Sequence, residues 1–198
     1  MEKFFEKAVE SGCEGLVCKS LNEDAVYPAG ASGWLRIKYK RDYKSEMTDT
    51  VDLVVVGVLH GRGRRAGIYG AVLLAAHDHE EGIFKMVTKC GTGFIDEELQ
   101  ELPKMSEKRL VPHSHSRVHF ILEAELWFEP TAVIKTLGAE ITLSPIHTCA
   151  MDVIRKGSGL AIRFPRFTGN YRLDKSDEGA TTVEGIVEMY RSQLKKLD

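Results

Sequence analysis

The sequence contains no long hydrophobic segment. No apolar stretch approaches the roughly 20 residues that a membrane-spanning helix requires, and the N-terminal segment MEKFFEKAVESG carries too many charges for a signal peptide. The composition, with 43% hydrophobic and 28% charged residues in a chain of 198, is that of a soluble globular protein long enough to bury a full core. We therefore expect a cytoplasmic protein that does not bind a membrane.

The sequence also has few cysteines, and none of them forms a Cys-x-x-Cys pair. The four are Cys13, Cys18, Cys90 and Cys149. Paired spacing is the usual pattern of structural zinc and redox sites, so we interpret these residues as buried or idle thiols in a reducing compartment. The histidines between His113 and His119 lie in a loop without a carboxylate or cysteine at ligand spacing, and we interpret them as solvated or capping residues.

A large excess of positive charge is absent as well. The formal net charge is −2 and the isoelectric point is about 6.4, which argues against a protein that coats nucleic acid through bulk charge. The charge is uneven, however, because residues 34–67 hold eight basic and four acidic side chains. A local basic stripe on a near-neutral protein indicates a specific anion-binding surface.

The pattern of apolar residues predicts a mainly β chain with some helix. The predicted strands are GLVCK, WLRIKYK, VDLVVVGVLHG, IYGAVLLAAHD, GIFKMVTKCGTGF, HFILEAELWFEP, AVIKTLGAEITLS and GLAIRFPRF. Helices are predicted over EKFFEKAVE, over the short DEELQELPKM, and over TTVEGIVEMYRSQLKKL, where Thr181 and Glu184 make a capping box. After residue 50, about five strands with a short helix between the third and the fourth of them predict a Greek-key barrel of the OB type.

Two short stretches near the N-terminus carry residues suited to phosphate chemistry. In EGLVCK, the carboxylate of Glu14 beside a glycine, with Lys19 nearby, can hold Mg²⁺ next to a phosphate, although the hexapeptide by itself favours a surface pair at a strand end. In WLRIKYK, Lys38 and Lys40 share one strand face about 7 Å apart. Two ammonium groups that close repel each other unless an anion lies between them, so a polyphosphate fits this face; a solvated face is the alternative.

The stretch RFPRF places two arginines and two rings around a proline. Arg163 and Arg166 suit bidentate contact with phosphate, and Pro165 fixes the backbone between them. Phe164 and Phe167 could pack inward, or one ring could lie against a nucleotide. The residues alone leave these two possibilities open.

Together and in this order, the three stretches resemble the C-terminal motifs of the ATP-dependent DNA ligases. EGLVCK resembles the fourth nucleotidyltransferase motif of that family, WLRIKYKRDY the fifth, and GLAIRFPRF the sixth. The intervening DTVDLVVVGVLHGRGRRAGIYGAVLLAA and KCGTGF resemble the OB domain of archaeal and eukaryotic replicative ligases. The resemblance covers essentially the whole chain. It implies that residues 1–44 are the C-terminal fragment of an adenylation (nucleotidyltransferase) domain and that residues 45–198 are an OB-fold nucleic-acid-binding domain.

The resemblance implies nick sealing in DNA replication, repair and recombination. In that family a lysine takes AMP from ATP, the AMP passes to the 5′-phosphate of the nick, and the 3′-hydroxyl then displaces it. The implied cofactors are ATP and a divalent metal such as Mg²⁺, and the implied partner is nicked double-stranded DNA. A sliding clamp would bind through other parts of the protein, which would be nucleoid-associated in an archaeon and nuclear in a eukaryote.

The resemblance also implies a role for each candidate residue. Glu14 would work with Mg²⁺, Lys38 and Lys40 would contact the α-phosphate and support its transition state, and Lys19 would belong to the nucleotide site. The sixth-motif arginines Arg163 and Arg166 would orient the ATP tail. The DNA contacts would be made by Phe164, Arg62, Arg64 and Arg65. Arg36 with Lys38 is the alternative fifth-motif pair if the register is set by Trp34.

The family nucleophile lies in a KxDG motif, and no KxDG occurs in these 198 residues. We therefore expect that the chain alone does not form the ligase–AMP intermediate. The alternative hypothesis is a non-catalytic OB-fold module that binds nucleic acid. A third is an RNA ligase or capping enzyme, against which the long resemblance through DLVVVGVLHGRGRRAGIYG argues.

Overall fold

The computed structural model describes residues 1–11, 13, 15–22, 25–26, 35–40, 47, 49–99 and 110–195. The chain divides into two compact units, Met1–Glu46 and Met47–Asp198. Within the described residues, no helix is both long enough and apolar enough to cross a membrane.

The first unit is a helix with a two-stranded antiparallel sheet. Helix α1 spans Glu2–Glu10, strand β1 spans Gly15–Lys19 and strand β2 spans Arg36–Lys40. Phe5 is buried, and its ring centroid lies 4.6 Å from that of Tyr39 on β2. This ring contact packs α1 against the sheet and explains why the short amphipathic helix forms.

The second unit is a curled, mainly antiparallel sheet with a helix at its C-terminal end. Its strands are β3 Val51–His60, β4 Tyr69–Asp78, β5 Ile83–Cys90, β6 Leu110–Val111, β7 Val118–His119, β8 Leu126–Leu137, β9 Glu140–Ser144, β10 Gly159–Arg163 and β11 Arg166–Tyr171. Residues 96–99 are helical, and helix α2 spans Val183–Lys195. The strand order in the main sheet is β11-β8-β3-β4-β5-β7, with β6 on β8 and β9 paired to β10.

The sheet curls until its ends approach each other. The Thr88 hydroxyl on β5 donates to the Ile162 carbonyl on β10 at 2.9 Å, and an isolated bridge joins Thr92, just after β5, to Arg166 at the start of β11. This closure, with a helical segment between β5 and β8, is that of the predicted OB-type barrel. The prediction of a mainly β chain that carries an OB barrel and ends in a helix is confirmed.

Strands β3 and β4 are covered on both faces. One buried cluster includes Leu53 and Leu74 and also receives Ile186 of α2, while a second cluster on the opposite face includes Val54 and Leu73. A strand that is buried on both sides carries an uninterrupted apolar run instead of an alternating one. This explains why VDLVVVGVLH and YGAVLLAAHD show little alternation.

The structure corrects several boundaries that were expected from the sequence, and the predicted strand AVIKTLGAEITLS is divided between the end of β8 and β9. Strand β8 runs through Pro130, which is tolerated because the pairing of β8 with β3 shifts register between Val55 and Gly57. The predicted strand GLAIRFPRF is two strands, separated at Phe164 and Pro165. Between β7 and β8, residues 120–125 are not in a strand.

The predicted capping box of Thr181 is wrong by one residue. The Thr182 hydroxyl accepts the N-terminal hydrogen bond of α2 from the Gly185 amide at 3.0 Å. The Thr181 hydroxyl instead accepts from the Asp52 amide on β3, also at 3.0 Å. The Thr181 hydroxyl therefore anchors the helix to the barrel, and the Thr182 hydroxyl caps the helix.

Candidate functional site

The two strands of the first unit have their basic residues at positions that belong to one face. Directly opposite residues of an antiparallel pair share a face, and the register pairs Lys19 with Arg36, Val17 with Lys38, and Gly15 with Lys40. The pairs between them, Leu16 with Tyr39 and Cys18 with Ile37, belong to the other face, which carries the Tyr39 ring packed on α1.

This cationic face joins three predicted nucleotide-binding positions. Lys19 and Lys38 are exposed there, and Lys40 occupies the next same-face position of β2. Arg36 shares the face as well, so both fifth-motif pairs considered from the sequence lie on it. Four basic positions on one face of two paired five-residue strands form a site suited to a polyphosphate.

The predicted metal ligand Glu14 lies outside the described residues. Among the residues that are described, no three His, Cys, Asp or Glu side chains are grouped as metal ligands. The magnesium role of Glu14 stays a prediction.

In the second unit, the two rings of RFPRF point to different environments. Phe164 has a φ of +48° and is 53% exposed, whereas Phe167 is 1% exposed. The Phe167 ring stacks on Phe94 with the centroids 4.4 Å apart and meets Tyr171 edge-on at 5.0 Å. Phe167 is therefore a core residue, and Phe164 is the ring available to a ligand.

The two arginines of RFPRF lie at the ends of two strands that are consecutive in sequence, β10 and β11. Arg163 ends β10, with Nη1 3.5 Å from Glu140 Oε1 and Cζ 4.9 Å from the Phe164 ring centroid. Arg166 begins β11 and is exposed. The turn through Phe164 and Pro165 thus presents two guanidinium groups and one ring at the protein surface.

The basic turn, residues 61–67, separates its arginines into two kinds. Arg62 and Arg64 are exposed. Arg65 donates to the Asp96 carboxylate at 2.8 Å, to the Gly91 carbonyl at 2.7 Å and to the Phe94 carbonyl at 3.1 Å. The surface positions suit contact with DNA phosphates, whereas the guanidinium of Arg65 is committed to the protein.

A concavity of about 460 Å³ lies beside Arg163, between β5, β9 and β10. Among its lining residues are Lys89, Ser144 and His147, none of which the sequence reasoning had selected. Ser144 Oγ lies 2.8 Å from His147 Nδ1, and burial lowers the pKa of His147. Single polar residues in a strand or a loop give no sequence pattern that could have indicated this juxtaposition.

Two of the four cysteines fit the interpretation of unreactive thiols. Cys90 and Cys149 are buried, and burial raises the pKa of the first to about 11 and of the second to about 12. Neither forms a thiolate near neutral pH.

Comparison with known families shows which family the chain belongs to. The family described as ATP dependent DNA ligase C terminal region matches residues 65–175, more than half of the chain. The chain belongs to this family. The match begins in the basic turn and extends beyond the RFPRF segment, so the OB barrel described above is the C-terminal region of an ATP-dependent DNA ligase.

Curated relatives resemble the chain over nearly its whole length. It is 58% identical to DNA ligase 2 of Thermofilum pendens over 97% of the chain and 32% of the relative, and 57% identical to the DNA ligase of Caldivirga maquilingensis over 98% and 32%. The probable DNA ligase of Aquifex aeolicus is 53% identical, over 98% and 33%. The chain therefore spans about a third of the length of the curated relatives it matches.

A solved structure shares the fold. The ligase domain of M. tuberculosis LigD is similar over 91% of this chain and 51% of that domain, with a TM-score of 0.51 and 20% sequence identity. At this identity the likeness supports the ligase fold and says nothing further about individual residues.

Proposed function

We propose that this chain is the C-terminal part of an ATP-dependent DNA ligase that seals nicks in duplex DNA through ligase–AMP and DNA-adenylate intermediates. The observation that carries the proposal is the combination of the family match with the geometry of RFPRF, where Arg163, Phe164 and Arg166 are at the surface while Phe167 is in the core. On this proposal the protein acts in replication, repair and recombination.

We assign the first unit to the end of the adenylation domain. ATP would supply the AMP group that activates the 5′-phosphate. Lys38 and Lys40 would stabilise negative charge on the reacting α-phosphate, and Lys19 would contribute to the same electrostatic field. Stabilisation of developing charge by preorganised cations is the main catalytic contribution in phosphoryl-type transfer.

We assign the second unit to DNA binding and to the ATP tail. Arg163 and Arg166 would bind phosphate oxygens in bidentate fashion, first those of the nucleotide tail and then those of DNA. Phe164 would place its ring against the duplex at the nick. Arg62 and Arg64 would contact the backbone. These roles are supported by the exposure of all five side chains.

The nucleophilic lysine of a KxDG motif would come from sequence outside these 198 residues. The test is adenylation with ATP labelled at the α-phosphate, on this chain alone and on this chain mixed with an upstream half from a relative that carries KxDG. We expect label only in the mixture, on the upstream half, and we expect Arg163→Ala in this chain to reduce the labelling.

Each other outcome contradicts part of the proposal. Label on the isolated chain would show that a lysine within it is the nucleophile. If the mixture is labelled equally well with the wild-type chain and with Arg163→Ala, the role assigned to Arg163 in the sixth motif is wrong. No label in either case, together with equal binding of nicked and intact duplex, would favour a non-catalytic nucleic-acid-binding module.

A further inference from the structure

The basic turn and RFPRF are about 100 residues apart in sequence, yet both contact the same short loop. This loop, residues 91–96, follows β5 and is called the brace loop here. On one side it receives three hydrogen bonds from the Arg65 guanidinium, at 2.7 to 3.1 Å, which end on Gly91, Phe94 and Asp96. On the other side it contacts Phe167.

Glycines allow the basic turn to pack backbone against backbone. A Cβ at Gly61 would lie 2.1 Å from the Arg65 carbonyl oxygen, and a Cβ at Gly70 would lie 2.6 Å from Gly61 Cα. A Cβ at Gly91 would lie 2.5 Å from the Gly70 carbonyl oxygen. Any side chain at these three positions would push the turn away from the start of β4 and from the brace loop.

The contact between the brace loop and RFPRF is equally close. The Phe167 amide donates to the Thr92 carbonyl at 2.8 Å. Gly93 has a φ of +94°, and a Cβ there would lie 2.1 Å from the Phe167 carbonyl oxygen. The stacked rings of Phe94 and Phe167 complete the contact, so that the loop joins both segments through backbone and side chain.

We propose that Arg65 is a positioning residue that acts through the brace loop. It holds the basic turn and RFPRF in one fixed relation, so that Arg62 and Arg64 from the first segment and Phe164 and Arg166 from the second bind a single stretch of nucleic-acid backbone. This inference rests on the proposed function for its ligand. It replaces the expected role of Arg65 as a DNA contact.

The chemistry of the side chain is the reason that arginine is required. A planar guanidinium offers five donors in a rigid fork and can satisfy one carboxylate and two carbonyls at once, whereas an ammonium on a flexible stem keeps the charge and loses that geometry. A positioning role therefore depends on the shape of residue 65, while a phosphate contact would depend mainly on its charge.

The experiment compares shape with charge at neighbouring positions. Arg65→Lys and Arg65→Ala are measured beside Arg64→Lys and Arg64→Ala, with Arg155→Lys, an exposed arginine outside these segments, as the matched control. The probe is a labelled nicked DNA duplex. We expect both residue-65 variants to bind about tenfold more weakly than the wild type, and we expect Arg64→Lys to bind more tightly than Arg64→Ala.

A second readout needs no DNA. Amide hydrogen exchange is followed at Ile68, whose amide bonds to the Arg65 carbonyl, and at Phe167, whose amide bonds to Thr92. We expect Arg65→Lys to accelerate exchange at both amides by about tenfold. Arg64→Ala should change neither, because its side chain is on the surface.

The outcomes separate the brace from the proposed function. Binding by Arg65→Lys at the wild-type level would make residue 65 a charge contact and overturn the inference, as would unchanged exchange at Phe167. If the wild type binds no nicked duplex, the proposed function fails, while the exchange data still test whether Arg65 positions the two segments through the brace loop. If both residue-65 variants fail to fold, Asp96→Ala, which removes one acceptor of the three, is measured in the same way.

Discussion

Phe164 and Phe167 have the same side chain, and their surroundings separate their roles. Phe164 adopts a positive φ that only a tight turn imposes on a residue with a Cβ, and its ring is exposed. Phe167 lies between Phe94 and Tyr171 in the core of the barrel. At the scale of single residues, we therefore assign binding to the ring of Phe164 and stability to the ring of Phe167.

Substituting each ring by alanine separates the two roles. Phe167→Ala is expected to lower the free energy of unfolding by about 3–5 kcal/mol, since it leaves a cavity in a packed core. Phe164→Ala is expected to change stability by no more than about 0.5 kcal/mol and to weaken binding to nicked duplex by about tenfold. Urea unfolding and fluorescence anisotropy measure the two effects, and equal destabilisation by both variants would contradict the assignment.

The stability of the chain is expected to decrease as the pH falls through about 6.5. Burial, followed by the charges of His79 and Arg117, lowers the pKa of His77 despite the opposing charges of Asp177 and Glu178. Between the ordinary pKa of histidine and the lowered pKa of His77, the unfolded chain binds a proton that the folded chain does not bind. Lowering the pH through this range therefore favours unfolding.

His147 contributes in the same direction, because burial lowers its pKa as well. Thermal unfolding measured from pH 8 to pH 5 tests both residues. His77→Leu should make the dependence shallower, and the double variant with His147→Gln should make it shallower again. A dependence that is the same in all three proteins would show that other groups cause it.

At the scale of elements, helix α2 closes one end of the barrel. Val183, Ile186 and Val187 belong to the buried cluster inside the sheet. Near the other end of the helix, the Gln193 side-chain amide bonds to both backbone groups of Ile141 on β9: it accepts from the amide at 2.8 Å and donates to the carbonyl at 3.0 Å. The side chain takes the place of a neighbouring strand.

Removing this amide should weaken the docking of α2. Gln193→Ala leaves both Ile141 groups without their protein partner, and we expect a loss of about 1–3 kcal/mol in the free energy of unfolding. Gln193→Glu, which can accept but cannot donate when ionised, should lie between alanine and the wild type. The adjacent exposed Ser192→Ala serves as the control, and an equal effect of the two alanine variants would contradict the prediction.

At the scale of the whole molecule, the formal charge of −2 contrasts with the local cations that the fold presents. The exposed arginines of the second unit that we assign to phosphate binding are Arg62, Arg64, Arg163 and Arg166. Each DNA phosphate that a cationic side chain neutralises releases condensed counterions from the DNA. The number of contacts can therefore be read from the salt dependence.

Four phosphate contacts predict a slope of about −3 to −4 for the logarithm of the association constant against the logarithm of salt concentration. Each substitution of one of these arginines by alanine should reduce the magnitude of the slope by about 0.9. Lys156→Ala, which changes an exposed cation that is not among these four, should leave the slope unchanged. Titrations of a nicked duplex at several salt concentrations measure the slope. A wild-type slope shallower than about −1 would contradict the four-contact surface.

The sequence by itself determined the class of fold and the set of candidate residues. About five apolar strands with a short helix between the third and the fourth predicted the OB barrel, because apolar strand patterns follow from local backbone geometry and from burial on one or both faces. The order of three short motifs indicated the ligase family, which the match over residues 65–175 established.

Only the tertiary structure decided how those residues divide their work. Phe167 is the buried ring because it stacks on Phe94, and Arg65 is bound within the protein by Gly91 and Asp96. Thr181 accepts a hydrogen bond from Asp52 and does not cap the helix. Each of these partners is distant in sequence from the residue it affects. A side chain's own periodicity cannot report such a partner, since the contact exists only after the barrel has closed.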